Sequence, residues 1–238
     1  MGGFLAASSD AGVTWANVTP VGTLFSGRFS APAFVSCGQA NAPCSAKDGG
    51  FLYAFFPGAE NDEAYWDNND ALFLARVPEA TPAALGAFEF FVGLSGQGEP
   101  QWSSDASQAQ PSLAYGRMVG ENPVMYLPAL GRYVFANFGF LDNAGNPRPW
   151  HTEPFMAPHR TQLVLLEAEF PWGPWSMFWR DDDSFQAPGL YTPTFVSSWA
   201  QERVGNTLQL GMAFACLGGA ANCRYTLNYQ TVTLELAA

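Results

Sequence analysis

Short apolar runs bounded by Gly, Pro, Asn and Asp recur along the whole chain. Apolar residues spaced three and four apart, as a helix face requires, are nearly absent. The first runs are FLAAS (4–8) and TWANV (14–18). FSAPAFVS (29–36), GFLYAFFP (50–57), ALFLARV (71–77) and AFEFFVG (87–93) follow. A third set comprises PSLAYGRMV (111–119), PVMYLP (123–128), RYVFANF (132–138), QLVLLEAEF (162–170) and PWSMFW (174–179). The last comprises TPTFVSSW (192–199), TLQLGMAF (207–214) and RYTLNYQTVTLEL (224–236). Each reads as a β-strand. Segments 80–87 and 162–169 also admit a short helix, and Ala83, Ala84 and Leu85 favour a helical turn in the first.

These sets repeat every ~60–80 residues with about four strands each, which suits the loop-rich blades of an enzyme propeller; a β-sandwich or jelly roll has the same strand density. The stretch SSDAGVTW, Ser8 to Trp15, has the form S-x-D-x-G-x-T-W. It resembles the Asp-box of sialidases and other propellers. Its Asp10 is expected to cap backbone N–H groups in a tight hairpin. Gly12 supplies a positive φ, and Trp15 packs under the turn. Asp10 is therefore structural rather than catalytic. The expected architecture is an all-β propeller in one domain, residues 1–238.

Composition narrows the function classes. The chain has 238 residues, enough for a substantial core, and 48% are hydrophobic. No apolar run approaches a membrane span, so membrane insertion is not expected. Ten basic residues against 21 acidic ones give a net charge of −11, which argues against a nucleic-acid partner. Lys47 is the only lysine, and aromatics reach 15%. That balance fits an extracellular protein that handles carbohydrate.

Cys37 and Cys44, and Cys216 and Cys223, share a C-x6-C spacing across small polar residues. Disulfides 37–44 and 216–223 are expected, with free buried thiols as the alternative; the spacing is too wide for a zinc knuckle and no His adjoins either pair. Disulfides imply an oxidising compartment, and the sequon Asn17-Val18-Thr19 agrees weakly. A secreted or extracellular protein is expected. MGGFLAASSD lacks the basic and apolar regions of a signal peptide, so the chain is expected to begin inside a fold.

Several stretches then occur in a telling order: KDGGFLYAFFPG (47–58), LFLARVPEATPAALGAFEFFVG (72–93), GEPQWSSD (98–105), VMYLPALGRYVF (124–135) and AEFPWGPWSMFW (168–179). Together, over about residues 8–200, they resemble a family of secreted propeller proteins described as a domain of unknown function. Some of its members are endo-acting glycoside hydrolases that cut D-arabinan. The resemblance implies a five-bladed propeller, here incomplete at its amino end, with about three blades plus part of another. Departures are Gly50, where the family has a bulkier residue, and an insertion at 139–161. Five-bladed glycosidases generally carry an essential Asp in their first blade, so part of the site could be absent. The implied function is glycoside hydrolysis of a polysaccharide, arabinan-like or other. The rival readings are a carbohydrate-binding propeller without catalysis and an inactive fragment.

Hydrolysis needs two carboxyl groups across the scissile bond, one protonated and one ionised. Asp48 sits in a matched motif just before a strand, although a turn cap is the plainer role. Glu169 adjoins WGPW, and Glu167 shares its sheet face. Glu153 lies between His151 and His159, where it could serve acid–base chemistry. Asp48, Glu153 and Glu169 are the catalytic candidates. Arg117, Tyr126 and Arg132 are candidates to hold sugar hydroxyls, and Trp150 and Trp175 to stack on sugar rings. Asp62, Glu63, Asp67 and Asp70 could bind Ca2+, but a solvated loop is the simpler reading; no metal site and no other cofactor is expected. Asp181-Asp182-Asp183 reads as a charged turn. The expected partner is a poly- or oligosaccharide, and the protein a monomer.

Overall fold

A computed structural model describes residues 4–21, 27–30, 32–37, 44, 49–59, 64–149, 160–184, 189–196, 202–216 and 226–236. It is all-β, in four antiparallel sheets, none of them closed. The first sheet is a hairpin of β1 (Phe4–Ala7) and β2 (Ala16–Pro20). The second runs β3 (Ala33–Phe34), β4 (Phe51–Gly58), β5 (Asn69–Pro78), β6 (Glu89–Leu94) and β7 (Pro100–Ser103). In it β8 (Pro111–Val119) pairs with the first half of β5, beside β6. The third is a four-strand meander of β9 (Val124–Leu127), β10 (Arg132–Leu141), β11 (Arg160–Ala168) and β12 (Ser176–Asp181). The fourth places β15 (Thr207–Cys216) between β16 (Asn228–Glu235) on one side and β13 (Leu190–Phe195) with β14 (Glu202–Val204) on the other.

The central strands are apolar on both faces because both faces are covered. Side chains alternate along a strand, and β10 shows the result. Tyr133 and Phe135 face the second sheet, packed with Tyr53, Phe55 and Leu74. Val134 and Ala136 face the fourth, packed with Leu208, Leu210 and Met212. β4 and β5 divide likewise: Phe56 and Phe73 turn away from the third sheet toward Phe29 and Phe90, where Leu5 of the first hairpin also packs. The sheets therefore stack face to face in chain order.

Two glycines where β8 meets β10 leave no room for a side chain. A Cβ on Gly120 would run into the Phe138 ring, and one on Gly139 would lie 2.7 Å from the Met118 side chain. The chain leaving β8 thus lies directly against β10. Gly120→Ala is expected to lower stability by about 2 kcal/mol through overpacking, read as a lower urea midpoint with an unchanged slope.

Segment 80–87 contributes only a 3-10 turn, Leu85–Ala87. Segment 162–169 is strand, because both of its faces are buried. β7 and β14 were not foreseen: PQWS and ERV are too short and polar to stand out. Cys37 and Cys44 are joined, with Cα atoms 5.8 Å apart. Cys216 is also disulfide-bonded, and its partner lies outside the described residues. No helix among the described residues is long and apolar enough to cross a membrane.

The Ser8–Trp15 turn forms as expected. The Asp10 carboxylate accepts the Thr14 N–H at 2.8 Å and the Thr14 hydroxyl at 2.6 Å, and Ser8 donates to it at 2.8 Å. Gly12 has φ +89 and faces the Trp15 ring, although Trp15 stays 62% exposed. The Thr14 bonds, followed by the Ser8 bond, lower the Asp10 pKa from 3.8 to about 2. A depressed acid stabilises the hairpin fully above its unfolded value and loses that contribution as pH falls through the folded one. The Asp10 carboxyl is therefore expected to titrate near pH 2 by NMR, with the Thr14 amide shift following the same curve. A midpoint near 3.8 would remove the cap.

Candidate functional site

The described candidates fall in two places. Tyr126, Arg132, Glu169 and Trp175 gather at the end of the sheets that carries the β9–β10 and β11–β12 connections. Arg132 meets Glu169 at 3.1 Å, both side chains well exposed. Tyr126 pairs across the strands with Tyr133, ring centroids 5.1 Å apart. Trp175 wedges between the second and third sheets, against Phe55 and Phe135. Its indole N–H is buried without an acceptor.

Other aromatic groups extend this end. The Arg76 guanidinium lies 4.2 Å from the ring centroids of both Phe51 and Trp102 and pairs with Glu89 at 2.7 Å. Phe170 stacks on Trp172 at 5.3 Å. Cation–π contact and the ion pair together fix Arg76. The result is an aromatic ledge on which Glu89 and Glu169 each face an arginine. Arg117 stands apart, exposed in a bulge of β8 at φ +61. Asp48, Trp150 and Glu153 lie outside the described residues, as do His151 and His159.

A cavity of about 570 Å3 opens elsewhere, where β3, the segment entering β9, β13 and β15 meet. Glu121, Asn122, Thr192, Thr194 and Phe214 are among its lining residues. Glu121 is half-buried. Its backbone N–H bonds to the Trp66 carbonyl at 2.9 Å, and the Ser30 hydroxyl donates to its Oε1 at 3.2 Å. Asn122 is 1% exposed. Its Nδ2 donates to the Ala136 carbonyl at 2.5 Å, while its Oδ1 is buried with no partner. Thr192 has φ +48 at the register break between β13 and β15. A β-branched residue there is strained, and bulges of this kind re-aim side chains.

Trp66 ties this region together. Its ring lies against Phe138 and Phe140 of β10 and Tyr191 of β13, 5.6–6.3 Å between centroids. The next residue, Asp67, is a carboxylate only 1% exposed. Glu121 lines the cavity, whereas Asp67, in the segment adjoining Glu121, is buried and is not among the lining residues. The reading of 61–70 as a solvated loop is corrected for its second half: Asp67, Asn68 and Asn69 are buried, because the asparagine amides bind backbone groups of β10 and β8. No three His, Cys, Asp or Glu side chains among the described residues converge on a metal position.

Asp182 is more than a charged turn. Arg180 forks onto its carboxylate at 2.6 and 2.9 Å, and Gln162 donates to it at 2.8 Å. The Arg180 hydrogen bonds hold the Asp182 carboxyl below its ordinary value. Tyr115 donates to Gln162 at 3.2 Å, and burial pushes its phenol up. The network links β8, β11 and β12. An apolar groove of about 330 Å3 between β12 and β16, lined by Leu163, Phe178, Trp179 and Leu234, has Glu235 as the one carboxylate among its described lining residues.

Sequence reasoning missed Glu121, Asn122 and Thr192. The available signal was the tetrapeptide GENP (120–123), a polar break between two strands that reads as an ordinary turn. No protein-family model matches the chain, and no curated protein matches it either. The fold and the site define the class: an all-β protein of sequentially stacked antiparallel sheets with a mainly apolar cavity, carrying a few polar side chains, at their junction.

Proposed function

We propose that the protein is a propeller-type, secreted glycoside hydrolase that cleaves an extracellular polysaccharide, arabinan-like or other. The reaction takes place at the junction cavity with Glu121 as one of its carboxyl groups. The observation that carries this reading is Glu121 itself: half-buried, oriented by Ser30, and lining a cavity of ligand size beside the segment that holds buried Asp67. Glycosidic cleavage takes one carboxyl group as acid and a second as base or nucleophile. Asp48 and Glu153 are the candidates from the sequence for the second role; Asp67 is buried and does not line the cavity. The stacking of sheets in chain order, the Asp-box turn and the disulfide support the propeller and extracellular parts of the reading.

A specific observation favours a second reading. The described catalytic candidate from the sequence, Glu169, is paired with Arg132 at the aromatic ledge and does not line the cavity. A protein that binds polysaccharide through aromatic surfaces and cleaves nothing would show the same arrangement. The test is reducing-sugar release from a polysaccharide panel that includes D-arabinan and L-arabinan, run beside a pull-down on the insoluble members. Release from one of them is the expected result. Binding without release would establish the second reading, and neither binding nor release by folded protein would remove both.

A further inference from the structure

The fourth sheet ends on an open edge. β13 and β14 share one side of β15, so this sheet is three strands wide where the third is four. Among the described residues β16 pairs only with β15, in an unbroken register of eight residues. Its outer edge therefore presents unpaired backbone N–H and C=O groups at every second residue. Proteins defend such edges by shortness, a bulge, proline or charge. β3 and β14 are two and three residues long. β12 has a bulge at Phe178, because Leu165 pairs with Trp179 and Leu166 with Met177. β16 has neither bulge nor proline, and Glu235 is its one charge. Gln230, Thr231, Thr233 and Glu235 are exposed along it.

The apolar groove of about 330 Å3 runs beside this edge, between β16 and β12. Its floor is Leu163, Leu165 and Met212, each at most 2% exposed. Its far wall is Phe178 and Trp179, which stay 42% and 39% exposed. Consecutive side chains alternate along a regular strand; both reach the groove because the bulge re-aims one of them. A row of unpaired backbone groups and an accessible apolar trough thus lie side by side. An added β-strand satisfies both, since its main chain completes the backbone bonds and every second side chain drops into the groove. Charge then selects the strand. Glu235 enters none of the ion pairs of the described residues, and no cationic side chain lines the groove among them. Arg180 nearby is held by Asp182. A second copy, with its own net charge of −11, would be repelled, whereas a basic segment is attracted.

We infer that β16 is a docking edge for an extended peptide segment of another protein, apolar at alternate positions and with a Lys or Arg against Glu235. The inference goes beyond the glycan reading, since a hydrolase and a non-cleaving binder could both carry this edge.

The experiment is amide hydrogen exchange by NMR on the full chain. The probe is a blocked peptide of alternating valine and threonine with a lysine at each end, so that either strand direction brings a lysine to Glu235. At a peptide concentration about ten times its dissociation constant, alternate amides from Gln230 to Glu235 are expected to exchange about tenfold more slowly by mass action. The Trp179 indole signal is expected to shift with them. Glu235→Gln should weaken the lysine peptide by about twofold to fivefold, the worth of one exposed ion pair. A peptide with glutamate in place of lysine should bind the parent more weakly and gain from the same substitution. The lysine peptide N-methylated at every backbone nitrogen keeps its side chains and cannot pair, and it is expected to protect nothing. Failure of the lysine peptide to protect any β16 amide would overturn the inference. Equal binding of the N-methylated peptide would also overturn it, reducing the site to an apolar patch. Protection that rises with protein concentration in the absence of peptide would assign the edge to a second copy instead. Saturable Trp179 shifts with arabinan oligosaccharides, and none with the peptide, would assign the groove to glycan.

Discussion

Asn137→Ala is expected to cost about 4 kcal/mol of stability, the largest loss foreseen for a single substitution outside the hydrophobic clusters. Asn137 sits in the middle of β10 and is 1% exposed. Its Oδ1 accepts the Gly120 N–H at 3.1 Å, and its Nδ2 donates to the Met118 carbonyl at 2.7 Å. Alanine removes both bonds and strands two buried backbone groups, each worth about 1–3 kcal/mol when left unpaired. The vacated space adds a further penalty. The two sheets cannot close over it, because Gly120 and Gly139 already bring the backbones together. A urea titration reads the effect directly. With a slope of roughly 2 kcal/mol per molar, the midpoint should fall by about 2 M. A fall of less than about 0.5 M would show that water or a backbone shift satisfies Met118 and Gly120, and the tie between these sheets would lie elsewhere.

Asn137 also shows where reading the sequence stops. RYVFANF is legible as a strand because a run buried on both faces is apolar throughout. One polar residue within it carries no visible instruction. Its role depends on Met118 and Gly120, 19 and 17 residues away. Asn68 is a stronger case, since its partner Phe140 lies 72 residues along the chain. WDNND looks like a solvated acidic loop until that partner is in place. Local pattern therefore yields the strands and the Asp10 turn, whose bonds span four residues or fewer, and misses the asparagine ties that lock one sheet to the next.

The site was legible to a smaller degree for the same reason. The sequence sets Tyr126 and Arg132 beside Arg117, Glu169 beside Asp48 and Glu153, and Trp175 beside Trp150; the fold instead brings Tyr126, Arg132, Glu169 and Trp175 to one end of the third sheet and sets Arg117 apart. The cavity was not legible, since its wall draws on β3, the GENP turn, β13 and β15, which are far apart in sequence. Only the packing of the second, third and fourth sheets creates it. Asn122 is informative for its unused Oδ1, and no sequence pattern reports an unused lone pair.

Glu121→Gln is expected to lower kcat for polysaccharide cleavage by about 10^2–10^4-fold, the range for losing a positioned acid or base. Its stability should change by less than about 1 kcal/mol. Glutamine keeps the shape and can still accept the Ser30 hydroxyl bond, and the backbone bond to Trp66 is untouched. Loss of rate without loss of fold is thus the signature of a chemical role. Glu169→Gln is the comparison. Glu169 is exposed and pairs with Arg132, an arrangement worth at most about 1 kcal/mol. Cleavage by that variant at near the parent rate, with Glu121→Gln inactive, would locate the chemistry in the cavity. Equal rates for Glu121→Gln and the parent, with Glu169→Gln inactive, would move it to the aromatic ledge. There the indole of Trp175, buried without an acceptor, would become the next group to explain.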